Sequence, residues 1–304
     1  MELSFLTKLR ITAVLALGIF VVGILAWPMV RPGGGLEAVT ALGGAINPAE
    51  AVVLIFLALL VGLTAYFLSW PYGRQIGILA VPAGLSIWAA RGGEIARILH
   101  LNPLVQQRQS VYHTLRWEGF FWLAVIAAGF SGVLLAQRMV SASKQETADI
   151  KAVKLGLNKY LNAVISVFAS VLIAQICISL LAKDTVMPDE KLGEVLGQPA
   201  VGQICLAVLV AFAVAAYVVK RLLNSSYIWP AVATAALSFA AMSAAGRSNL
   251  LQYLVENWPA SFYARAVFAI LPLQMVAFGT LGSVVGFWLA VRYGYWKKYK
   301  SVRS

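Results

Sequence analysis

Long apolar runs alternate with short polar connections along this chain, and the runs set its plan. Eight are candidates for helices that cross a bilayer: residues 11–30, 51–69, 75–90, 119–137, 160–182, 200–219, 228–245 and 266–291. About twenty apolar residues, at a rise of about 1.5 Å each, match a hydrocarbon layer about 30 Å thick. The pattern predicts an all-α polytopic membrane bundle, read as one transmembrane domain over 1–304. Asn47 followed by Pro48 suits the start of the second span, because Pro is accommodated in a first helical turn. The third run, between Arg74 and Arg91, is the shortest and contains Pro82; a short or re-entrant segment is the alternative to a full crossing.

The last run carries the clearest internal pattern. Gly282, Gly286, Ala290 and Gly294 recur every four residues and so share one helix face. In lipid, such a strip lets another helix backbone approach closely. The alanine-rich span 228–245 is the expected neighbour inside the chain, with Val284 pointing away from the strip. Beyond it, Tyr293, Tyr295, Trp296 and Tyr299 interleave with Lys297, Lys298, Lys300 and Arg303, as at a cytoplasmic helix end.

The polar connections carry further patterns. In 91–118, Asn102-Pro103 can start a helix with Leu104, Val111 and Leu115 on one side and Arg108 near them. This predicts a short amphipathic helix in the interface, a solvated helical loop being the alternative. Segment 138–159 reads as a polar connector between two groups of four spans. Segment 183–198 holds Asp184, Asp189, Glu190 and Glu194, without the alternation of a calcium loop, and is expected to be a solvated acidic loop. Arg247, Glu256 and Arg265 flank the last such connection and predict a salt bridge at the interface.

Composition agrees with the pattern: 61% of residues are hydrophobic and 12% charged, against about 45–50% and about 25% in soluble domains. The net charge of +12 lies in short segments between apolar runs, which points to membrane orientation and anionic headgroups and away from nucleic acid. Eight crossings with both termini cytoplasmic put most Lys and Arg inside, and removing the third span nearly abolishes that bias. Lys8 and Arg10 before an apolar stretch resemble a signal sequence, but the run ends in Trp27-Pro28 without a small-x-small site, so a retained first helix is expected.

Candidate chemistry is sparse. Gln175-Ile176-Cys177 and Gln203-Ile204-Cys205 fall on consecutive antiparallel spans, placing both thiols at similar depth. A disulfide, half a metal site or a redox pair would use them; buried thiols with Gln bonding across helices is the reading preferred. Gly129-Phe130-Ser131-Gly132 resembles the Gly-x-Ser-Gly of rhomboid-type intramembrane proteases over four residues. That chemistry needs a histidine on a neighbouring helix, and His100 and His113 both precede the serine, outside the spans. A packing face of Ala128, Gly132 and Ala136 is expected instead. Glu50, Glu118, Asp184 and Glu256 all fall near span ends, which argues against ion-coupled transport. No cofactor or metal is expected. The functional expectation is a non-catalytic membrane subunit in a plasma or inner membrane, assembling with other membrane chains or with itself through small-residue helix faces such as Gly282, Gly286 and Ala290. A permease with a separate energising partner is the alternative. A lipid-directed enzyme using His100, His113 and Glu118 comes third.

Overall fold

The computed structural model describes residues 4–31, 38–41, 46–142 and 157–303, with the side chains of 141–142, 157–159 and 295–303 left aside. The glycine loop at 33–35, most of the 138–159 connector and the side chains of the aromatic and cationic tail therefore lie outside the described residues. Seven helices are long and apolar enough to cross a bilayer, and a bent pair, Gly73–Arg91 with Ile95–Leu101 at 48°, has the character of an eighth crossing. The protein is an all-α polytopic bundle.

In chain order the helices are α1 (Phe5–Gly18), α2 (Pro48–Leu68), α3 (Gly73–Ile76), α4 (Ala80–Arg91), α5 (Ile95–Leu101), α6 (Val105–Ala142), α7 (Leu157–Leu181), α8 (Val201–Leu223), α9 (Ile228–Ala245), α10 (Ser248–Asn257) and α11 (Pro272–Arg303). Three short strands, β1 (Val186–Asp189), β2 (Gly193–Gly197) and β3 (Phe262–Tyr263), form one antiparallel sheet in that order.

Local chemistry explains several boundaries. α2 starts at Pro48, where the Asn47 N–H donates to Glu50 Oε2 at 2.9 Å, a carboxylate in the first turn opposing the helix dipole. After α1 the chain continues as a π-helix over Ile19–Leu25. The Gly23 carbonyl would there be served from five residues on, but Pro28 has no N–H to offer. The Trp88 indole N–H donates to it instead, at 3.0 Å, and Trp88 is fully buried. Between α4 and α5 the bend falls at Gly92-Gly93, Gly93 having φ +82°, a conformation open to glycine at little cost.

α6 and α11 hold the bundle together. α6 packs on α2 and α9, and α11 packs most extensively on α8 and also on α4, α6 and α9. α6 and α2 meet where a Cβ on Gly62 or Gly132 would strike the carbonyl of Gly129 or Leu59, so the backbones themselves are in contact. α11 is buried on the face opposite its small-residue strip as well: Val284, expected to face away from its neighbour, is 1% exposed.

The connections after the first, third, fifth and seventh crossings gather on one face. The Val39 N–H donates to Gly92 O at 2.8 Å and Gln198 N–H to Ser261 O at 2.8 Å, β2 pairs with β3, and α10 packs on α6. Such alternation requires the bent segment to cross fully. The sheet and α10 form a cap on this face.

The structure corrects several expectations. The helix expected to start at Asn102-Pro103 does begin there, at Val105, but it is the first part of α6 and not a separate interfacial helix, because Tyr112, Leu115, Gly119 and Trp122 continue one buried stripe. The acidic segment 183–198 is a hairpin, closed by Gly193 at φ +78° and by Asp189 Oδ1 accepting from the Lys191 and Leu192 N–H groups. The last crossing helix starts at Pro272; Ala266–Ala269 is a buried 3-10 turn ahead of it. Glu256 accepts from Gln252 at 3.0 Å, and among the described residues the ion pair within 4 Å is Lys183–Glu194 at 2.7 Å, so the salt bridge expected for Arg247, Glu256 and Arg265 is not made.

Candidate functional site

The small-residue strip is used inside the chain. A Cβ on Gly282 would collide with the Leu209 carbonyl and one on Gly286 with the Ala213 carbonyl, both on α8, while Ala290 is 2% exposed. The neighbour is thus α8 and not the expected span 228–245, which packs on other sides of α6 and α11. At Gly294 nothing among the described residues lies within 4 Å of where a Cβ would stand.

Of Gln175, Cys177, Gln203 and Cys205, Gln203 is the most fully engaged. Its side-chain N–H groups reach the carbonyls of Leu181 at 3.0 Å and Lys183 at 2.9 Å, tying the start of α8 to the end of α7. Gln175 and Cys177 are half-buried and Cys205 is buried; both thiols are free. Among the described residues no three His, Cys, Asp or Glu side chains come together. Gln274 acts in the same way as Gln203, donating to the carbonyls of Ala89 and Gly93, each at 3.3 Å, and so joining α11 to the end of α4. His100 and His113 are exposed, His113 lying 2.7 Å from Arg116, whereas Glu118 is fully buried. The three do not form a cleft. Ser131 is exposed, and Gly129 and Gly132 are filled by α2 and α4.

Glu118 overturns the expectation that no acid lies deep in a span. α6 and α9 run antiparallel, with Tyr112 against Gly246, Gly119 against Ser238 and Phe130 against Tyr227. Tyr112 thus marks one end of α9 and Phe130 the other. Glu118 sits six residues inside, about 9 Å by helical rise, one turn before the buried Trp122 and next to Gly119, which meets Ser238.

The most site-like arrangement lies at the cap end of α6. A cavity of about 10 Å3 is bounded by α5, α6, α10 and β3, and Arg108, Tyr112 and Tyr263 supply its polar lining. Arg108 and Tyr112 are four residues apart and so stack on one face of α6. Arg108 is 8% exposed, Tyr112 3% and Tyr263 1%. The Arg108 Nε–H donates to the Asn102 carbonyl at 3.1 Å, and Asn102 is itself anchored to Ile98 O at 2.8 Å. The Tyr263 hydroxyl donates to Gln198 Oε1 at 2.8 Å, and Gln198 Nε2 donates to Ala269 O at 3.1 Å. Burial holds the Tyr263 phenol well above its ordinary value; Tyr112 and Glu94 push the same way and Arg108 only partly opposes them. Tyr263 is therefore neutral and supplies no counter-charge to Arg108.

The cap over this cavity is fastened at Asp189, whose Oδ2 accepts from Tyr253 OH at 2.8 Å and from the Trp258 indole N–H at 2.7 Å. Desolvation pushes its carboxyl up, but bonds from the Leu192 N–H, Trp258, Tyr253 and the Lys191 N–H outweigh that and hold it below its ordinary value. The i, i+4 spacing of Arg108 and Tyr112 is visible in the sequence; their meeting with Tyr263 depends on the tertiary fold. Compared with protein-family profiles, curated proteins and solved structures, the chain matches none.

Proposed function

We propose that this chain is a non-catalytic membrane subunit that holds a ligand beneath its cap and works in assembly with other chains. The observation that supports this reading is the composition of the cavity at the cap end of α6. It offers hydrogen-bond donors from Arg108 and Tyr112, and its remaining walls, such as Leu99, Leu251, Leu254 and Phe268, are hydrocarbon. Donors in an apolar enclosure bind and orient, whereas acyl or phosphoryl transfer needs a nucleophile with a base beside it. Assembly with other chains uses surfaces other than the Gly282–Gly286 strip, which α8 occupies. The positive-inside bias puts the cap outside and both termini in the cytoplasm.

The test is native mass spectrometry of the chain extracted from its own membrane in mild detergent. A mass above the 32.7 kDa of the chain, released as a second polypeptide on activation, is the expected result. A lone monomer in every mild detergent would overturn the assembly.

Glu118 favours a second reading, a permease, because an ionisable group at membrane depth is a common seat of ion coupling. Proton-dependent uptake into vesicles that is lost in Glu118→Gln would establish it over the first.

A further inference from the structure

Arg108 is a largely buried cation that forms no ion pair among the described residues. Its Nε is engaged by Asn102, but its two terminal nitrogens make no hydrogen bond among the described residues, and it forms no ion pair with a carboxylate there. Arg remains charged in proteins, and a guanidinium mostly withdrawn from water with no carboxylate beside it weakens the fold that contains it. One turn on, the Tyr112 hydroxyl likewise has no hydrogen-bond partner among the described residues. Both groups line the same cavity. They lie within the first two turns of α6, where the helix dipole adds positive potential.

Depth narrows the choice of ligand. Tyr112 packs against Gly246 just past the end of α9, so the cavity sits where the spans end, at the level of lipid headgroups. Its volume of about 10 Å3 holds about one water-sized group. The ligand therefore inserts one small group and leaves its bulk outside the cavity.

We propose that Arg108 and Tyr112 form a binding site for an anionic phosphate group, with one phosphate oxygen taken between the guanidinium and the phenol. This rests on the ligand-holding part of the function proposed above and gives its chemical class. A phospholipid headgroup and free phosphate share this chemistry. Arg binds it through paired N–H donors, and the apolar walls strengthen each bond.

The experiment uses the full chain freed of lipid in micelles of an uncharged maltoside detergent, the same micelles with added inorganic phosphate, and the same micelles with added phosphatidylglycerol. Thermal unfolding and lipid retention on native mass spectrometry are read for the wild type, Arg108→Gln and Tyr112→Phe. In the maltoside micelles alone, Arg108→Gln should unfold at a higher temperature than the wild type, since it removes a largely buried charge with no ion partner. Phosphatidylglycerol should reverse that order, and its retention should fall about tenfold or more in Arg108→Gln. Stabilisation by inorganic phosphate would assign the site to a free anion, and stabilisation by phosphatidylglycerol alone to a headgroup. If Arg108→Gln does not fold, the wild type and Tyr112→Phe carry the comparison. Equal stability and retention in all three preparations would overturn the proposal, whatever polypeptide co-purifies; a monomer that still discriminates phosphatidylglycerol would keep it and remove only the assembly.

Discussion

Arg108 and Tyr112 stand one turn apart on α6, each more than nine-tenths buried, with Tyr263 from the far end of the chain closing over them. Nothing in the packing of a hydrocarbon bundle calls for a guanidinium at that point. What the bundle does require is found elsewhere, in backbone contacts between helices and in carbonyls that need a donor.

The contact of α11 with α8 is of the first kind. Gly286→Leu places a side chain where the Ala213 carbonyl stands, and overpacking of this sort costs about 1–3 kcal/mol or more. The yield of monodisperse protein should collapse for Gly286→Leu and Gly282→Leu. Leu289→Ala, at a position 52% exposed, should leave it unchanged. Val284 is not a suitable control, being buried itself.

Trp88 is of the second kind. Trp88→Phe keeps an aromatic side chain but removes part of the buried ring system and leaves the Gly23 carbonyl without its donor, the lost hydrogen bond alone costing about 1–3 kcal/mol. Thermal unfolding followed by intrinsic fluorescence should show a lower midpoint, and a midpoint equal to that of the wild type would show that the carbonyl has another donor.

The cap should loosen in acid. Asp189 has a folded value depressed below 3.8, so the stability it contributes is complete above the unfolded value and is lost as pH falls through the folded one. Proteolysis with an acid-active protease should cut near 186–197 several-fold faster below that window than just above it. Asp189→Ala should be cut quickly at both, because Tyr253 and Trp258 lose their acceptor.

How far the sequence carries can be judged at particular residues. Hydropathy located the crossings because burial in lipid selects composition over about twenty positions. It misplaced Glu118, because the buried stripe of α6 runs on past the apolar stretch to Tyr112 and the helix start moves with it. The Gly282–Gly286 strip was visible, but which helix fills it is decided by the three-dimensional order of the bundle. The hairpin at 186–197 gave little signal, since its short strands mix acids, Gly and Pro and are held by Tyr253 and Trp258 from α10 and its end. Tyr263 could not be linked to Arg108 from spacing alone.

Both the crossing pattern and the proposed site depend on the cap and the termini lying on opposite sides of the membrane, with the cap outside. Single cysteines at Glu190 in the cap and at Ser225 between α8 and α9, on a background lacking Cys177 and Cys205, test this with an impermeant maleimide applied to intact cells. The expected result is labelling of Glu190→Cys and none of Ser225→Cys until the membrane is opened. Labelling of both from outside would contradict the crossing pattern, and labelling of Ser225→Cys alone would contradict the orientation and leave the Arg108 cavity facing the cytoplasm.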